Sequence, residues 1–172
     1  ADPDCEQLLA QMNEAGIDQT VLLVIDFSFA LPGASAIEEI HLHLRELMRR
    51  HPGRFIGFAG VDPRRGQEGI DLFERAVTEW GFQGLKLYPP CGYSPSDPRL
   101  FPFYEICSRY RLPVLTHVGP TSASMSFQYT KPWDVDEAAH KFPRVNFILA
   151  HPGVDSYHTV WMQLHEDLLS AV

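Results

Sequence analysis

Two histidines hold the best positions in this sequence for chemistry, because each ends a short apolar run. One run is Leu112 to His117, followed by Val118 and Gly119; the other is Val145 to His151, followed by Pro152 and Gly153. Runs of this length bounded by proline and glycine read as strands buried on both faces, as a parallel sheet covered by helices requires. An imidazole at the carboxyl end of such a strand can hold a divalent metal or move a proton near neutral pH. Three more ionisable side chains take comparable positions: Asp26 after Thr20 to Ile25, Asp62 after Phe55 to Val61, and Lys86 within Phe82 to Tyr88. Parallel α/β folds collect catalytic groups at the carboxyl edge, where loops vary while the strands stay in place.

Helices must separate these strands, and the spacing supplies them. Leu8, Leu9, Met12 and Ala15 mark a helix from Asp4 that Gly16 ends, and Ile37, Ile40, Leu44 and Leu47 stripe a second over Ala36 to Arg50. Ile70, Phe73, Ala76, Val77 and Trp80 mark a third, capped by Gly81. Asp97 and Pro98 open a fourth, through Phe103, Ile106, Cys107 and Tyr110, and Pro132 to Phe142 supplies another with Val135, Ala138 and Ala139 inward. A Ser/Thr-rich stretch from Gly119 to Lys131 is long enough to wall an active site, and a last helix is expected from Val160 to Ala171. Strand and helix alternate about every 30 residues, an α/β pattern with right-handed crossovers in a single domain over residues 1–172. Ionisable groups at or near all five strand ends favour a TIM (β/α)8 barrel over an open flavodoxin-like sheet, which gathers them at one switch point. A whole barrel takes ~250 residues, so about five βα units read as a partial barrel, incomplete at the N-terminus and after about residue 153.

Composition narrows the partner. The 172 residues are 45% hydrophobic, enough for one packed core. No apolar run approaches the ~18 residues that span a bilayer and no basic-then-apolar leader opens the chain, so a cytoplasmic protein without a membrane partner is expected. Cys5, Cys91 and Cys107 lack C-x-x-C spacing, which points to reduced thiols. A net charge of −8, with only Arg49-Arg50 and Arg64-Arg65 as basic clusters, excludes a nucleic-acid surface. The expected partner is a small-molecule substrate, with homo-oligomer formation left open.

The stretches Gly81 to Pro90, Leu112 to His117 and Phe142 to Gly153, with Arg54 to Pro63, occur in an order and spacing that resembles the amidohydrolase-related family of metal-dependent hydrolases. This is the superfamily branch that includes aminocarboxymuconate-semialdehyde decarboxylase-like enzymes, and the resemblance covers about Asp4 to Gly153. It implies a (β/α)8 barrel in which His117 ends strand five as a metal ligand and His151 ends strand six, binding a second metal or positioning water or substrate. It also implies a His-x-His or Glu-x-His pair on a strand before Ala1 and an aspartate on a later strand. The implied cofactor is a divalent metal, zinc first. The metal would lower the pKa of bound water and polarise a substrate oxygen, with His151 as the catalytic proton shuttle. Hydrolysis of an amide, ester or lactone is the first reading; non-oxidative decarboxylation of an unsaturated or aromatic acid is the alternative. A catalytically silent partial barrel or a small-molecule binding module is the reading from another class.

The remaining candidates carry less. For Lys86, structural ion pairing comes first and contact with a substrate carboxylate second, with a modified metal bridge also open. Asp26 and Asp62 read as loop or helix caps, and Cys91 as inert. His41 and His43 have His-x-His spacing but lie in a helix, where residues two apart diverge by roughly 200°. They are expected to be solvated and far from His117. His140, His158 and His165 read as surface residues.

Overall fold

The structure, a computed structural model, describes residues 2–119, 121–122 and 124–151; the helix expected from Val160 to Ala171 lies outside them. Five strands among these residues form one parallel sheet in sequential order: β1 (Thr20–Leu23), β2 (Phe55–Gly60), β3 (Leu85–Leu87), β4 (Val114–His117) and β5 (Phe147–Ala150). Each connection carries a helix, α2 (Ile37–Arg50), α3 (Gln67–Thr78), α4 (Phe101–Tyr110) and α5 (Asp136–Lys141), with α1 (Glu6–Ala15) leading in. An open flavodoxin-like sheet would show a reversal of strand order, and none occurs along β1 to β5.

Burial shows how the sheet is covered: it alternates along β1 and β4, while β2 and β3 at the centre are buried nearly throughout. Ala59, Leu85, Leu87 and Val114 face the helices and are buried, joining Phe73, Phe103 and Tyr104 in the main core, while Phe55 packs with Met12 and Leu47 in a second, smaller cluster. Val21, Leu23 and Ile148 point to the opposite face and are 41%, 38% and 44% exposed. Helices on one face with the other left open, in sequential strand order, is the winding of a barrel, here half of one. Small residues let the layers close. A Cβ on Gly60 would collide with the carbonyl oxygen of Val24, and one on Gly57 would lie 2.7 Å from the Met48 sulfur.

Boundaries differ from the sequence reading in ways that have local causes. Gly16 does cap α1, with φ 67°. Helix α3 stops at Thr78, three residues before Gly81, whose φ of 76° instead turns the chain towards β3. The segment Pro132–Val135 is a 3-10 turn ahead of α5, and Tyr110 at the end of α4 is 42% exposed. No helix among the described residues is long and apolar enough to cross a membrane.

His41 corrects an expectation. It is fully buried rather than solvated, with Nδ1 2.8 Å from the Ile37 carbonyl oxygen and its ring 5.3 Å from Phe82 and 6.3 Å from Trp80. The apolar stripe of a core-facing helix spans i, i+3, i+4 and i+7, and residue 41 is the i+4 partner of Ile37. His43, on the opposite side, is exposed and meets the Pro3 carbonyl oxygen at 2.8 Å. His140 is also exposed, 2.9 Å from the Asp136 carbonyl oxygen.

Candidate active site

Strands β3, β4 and β5 bring three aromatic side chains to one rim. Leu87 pairs with Thr116 and His117 with Ala150, so Tyr88, His117 and Ala150 lie level on the open face of the sheet. An extended residue 151 would point to the other face, because side chains alternate along a strand. The chain instead turns left-handed at His151, with φ 65°. That turn carries the imidazole back beside His117, with ring centroids 5.2 Å apart at 61°. Left-handed backbone is unfavourable for a residue with a Cβ, by ~1–3 kcal/mol in strained cases, and such positions cluster at functional sites. His117 is half-buried and His151 exposed, so the pair opens to solvent.

Lys86 lies one step deeper on the same face as Tyr88, level with Gly60 and Leu115. It is 4% exposed, and its Nζ lies 5.7 Å from the centre of the Tyr88 ring. Burial pushes its ammonium down from 10.5 to about 8. Among the described residues it makes neither a hydrogen bond nor an ion pair, so the structural pairing expected first for it is not formed.

The rim carboxylates are engaged elsewhere. Asp26 binds Arg65 Nε at 2.6 Å and accepts from the backbone N–H groups of Ser28 and Asp62. Burial raises its carboxyl, but the Arg65 guanidinium and these donors outweigh that and leave it below the usual range. Asp62 binds Arg64 Nη2 at 2.6 Å and caps the turn at Pro63 by accepting from the Arg64 backbone N–H. The capping roles expected for both therefore hold, with ion pairs added. Cys91 Sγ lies 3.5 Å from the Asp26 carbonyl oxygen, and burial pushes its thiol up to about 12, as an inert cysteine requires.

Among the described residues, no group of three or more His, Cys, Asp or Glu side chains is placed to hold a metal ion. His117 and His151 are the nitrogen donor type that divalent transition metals accept, and they open together on the rim. The chain thus fits part of a metal site, short of the ~3 protein ligands a catalytic zinc takes. Sequence reasoning missed Tyr88. Its ring lies 4.9 Å from His117, and its hydroxyl is 2.9 Å from Thr121 Oγ1 in the Ser/Thr-rich stretch after β4. The period-2 relation to Lys86 was the available signal.

The family profile described as Amidohydrolase matches residues 11–167. The chain belongs to the amidohydrolase family. A relative, the 2-amino-3-carboxymuconate-6-semialdehyde decarboxylase of Dictyostelium discoideum, is 26% identical over 142 residues, 77% of this chain and 38% of that protein. Among solved structures, the 5-carboxyvanillate decarboxylase of Novosphingobium aromaticivorans, with bound manganese and 3-methoxy-4-hydroxy-5-nitrobenzoic acid, superposes with a TM-score of 0.72 at 16% identity. That match covers 96% of this chain and 56% of the other. A TIM-barrel protein of Bordetella bronchiseptica gives a TM-score of 0.64 at 21% identity, over 83% of this chain and 49% of that one. The amidohydrolase chain therefore spans about 38% of its curated relative and about half of these barrels.

Proposed function

We propose that the protein containing this chain is a metal-dependent decarboxylase of a small unsaturated or aromatic acid. The observation that carries this reading is Lys86, a buried ammonium without an ion-pair partner among the described residues, on the same sheet face as His117. Isolated buried charge is unfavourable, and an anionic ligand relieves it. A neutral amide, ester or lactone has no use for such a cation, so hydrolysis, the first expectation, is the weaker reading. The decarboxylases among the relatives support the same choice.

His117 would hold a divalent metal, which when bound polarises a substrate oxygen. A relative contains manganese, so zinc has no preference here. Lys86 anchors an acidic group of the substrate that stays. Gripping the leaving carboxylate instead would favour its charged ground state over neutral carbon dioxide and slow the reaction. Protonated His151 donates to the carbon that bears the leaving carboxylate. As the C–C bond breaks, its electron pair restores the unsaturation and carbon dioxide departs. The left-handed turn at residue 151 and the contact with His117 support this use of the imidazole.

The test supplies the full-length protein, loaded with Mn2+ or Zn2+, with a panel of unsaturated and aromatic mono- and dicarboxylic acids and of lactones. Release of carbon dioxide that stops on chelation and returns with metal supports the proposal. Hydrolysed acid without carbon dioxide would return the function to hydrolysis.

A further inference from the structure

Tyr88 has no assigned role, yet it is the side chain through which the rim loops meet. Its ring packs edge-on against Phe27 from the loop after β1, with centroids 5.7 Å apart at 79°. Its hydroxyl reaches Thr121 beyond β4 at 2.9 Å. Its backbone N–H donates to the Tyr93 hydroxyl at 2.7 Å in the loop after β3. The far end of the ring, its edge and its backbone are thus each held by a different segment. The ring also meets the Lys86 ammonium, 5.7 Å from its centre, and the His117 imidazole at 4.9 Å and 58°.

We propose that Tyr88 is a positioning residue that fixes the orientation of the His117 imidazole for metal binding. An imidazole at a strand end turns about two side-chain bonds, and freezing them in the bound geometry has an entropic cost at binding unless neighbours have already restricted them. Tyr88 from β3 and His151 from beyond β5 flank His117 from the two neighbouring strands, at 4.9 and 5.2 Å. Tyr88 is tethered at several points among the described residues. Groups that orient a metal-ligating histidine typically change metal affinity by ~10–100-fold when removed. Tyr88 stands in that relation to His117 through ring packing, and its anchors at Phe27 and Thr121 keep the packing surface still. The inference rests on the reading of His117 as a metal ligand.

The experiment measures Mn2+ affinity of the full-length protein by electron paramagnetic resonance, alongside the melting temperature of the metal-free form. Tyr88→Leu should weaken Mn2+ binding by about tenfold. Tyr88→Phe, which keeps the ring and loses only the bond to Thr121, should lie closer to wild type than to Tyr88→Leu. A lowered melting temperature in Tyr88→Leu with wild-type Mn2+ affinity would make Tyr88 a packing residue and overturn the proposal. Tyr88→Met serves if Tyr88→Leu does not fold, and loss of the fold in both would likewise assign Tyr88 to stability alone. His117→Ala separates the two readings. If it loses Mn2+ while Tyr88→Leu binds normally, only the role of Tyr88 falls; if it binds Mn2+ like wild type, His117 is not a ligand and both fall.

Discussion

Replacing Lys86 with methionine is expected to stabilise the protein while removing its hold on substrate, a combination that a structurally paired lysine would not give. Burial takes the ammonium from 10.5 to about 8. At ~1.4 kcal/mol per tenfold change in proton affinity, keeping that charge in the folded state at pH 7 costs up to ~3 kcal/mol. The contact with the Tyr88 ring, 5.7 Å away, returns ~0.5–1 kcal/mol that methionine forfeits in part, so a net gain of ~2 kcal/mol is expected. The sign with pH follows from the lowered affinity. Between about 8 and 10.5 the unfolded chain binds the proton and the folded chain does not, so wild-type stability rises with pH across that window and the advantage of Lys86→Met shrinks. Urea unfolding of the full-length protein at pH 7, 8, 9 and 10 measures this directly. A variant less stable than wild type at pH 7, or an advantage that stays constant from pH 7 to pH 10, would refute the unpaired buried ammonium. In the same variant, affinity for acidic ligands should fall by ~10–100-fold, the range for a lost charged hydrogen bond.

Other perturbations separate the remaining roles. His117→Ala should strip the metal, whereas His151→Ala should keep it and cut turnover by roughly 10²-fold, seen by metal analysis beside steady-state rates; a metal-free His151→Ala protein would make the site binuclear. Burial holds the His41 imidazole below its ordinary 6.5, so its contribution to stability is present above about that pH and is lost as the pH falls below it. His41→Leu should flatten that acid limb in thermal melts from pH 7 to 5, and an unchanged limb would show that other groups cause it. Gly60→Ala should destabilise by ~1–3 kcal/mol or more in urea titrations, since its methyl group meets the backbone at Val24 rather than a side chain that can move. A neutral result there would mean that β1 and β2 can separate without loss.

The order of the five strands and the two rim histidines were legible in the chain because both depend on short-range pattern. Apolar runs bounded by proline and glycine mark Thr20 to Ile25 or Leu112 to His117 whatever surrounds them, and sequential βα units leave few topologies. The capping roles of Asp62 and Asp97 were equally local, since each carboxylate accepts from an N–H two residues on. Burial and pairing belonged to the tertiary structure. His41 and His43 share a spacing in the sequence; the stripe from Ile37 turns residue 41 inward, and the approach of Trp80 and Phe82 encloses it while His43 stays exposed. Lys86 is buried without an ion pair among the described residues, which no local pattern states. The left-handed turn at His151, which places its ring beside His117, and the seat of Tyr88 against that same imidazole depend on how neighbouring strands come into register. A linear pattern states which way alternate side chains point; distances between strands arise only when the sheet closes on its helices, and the chemistry of this rim resides in those distances.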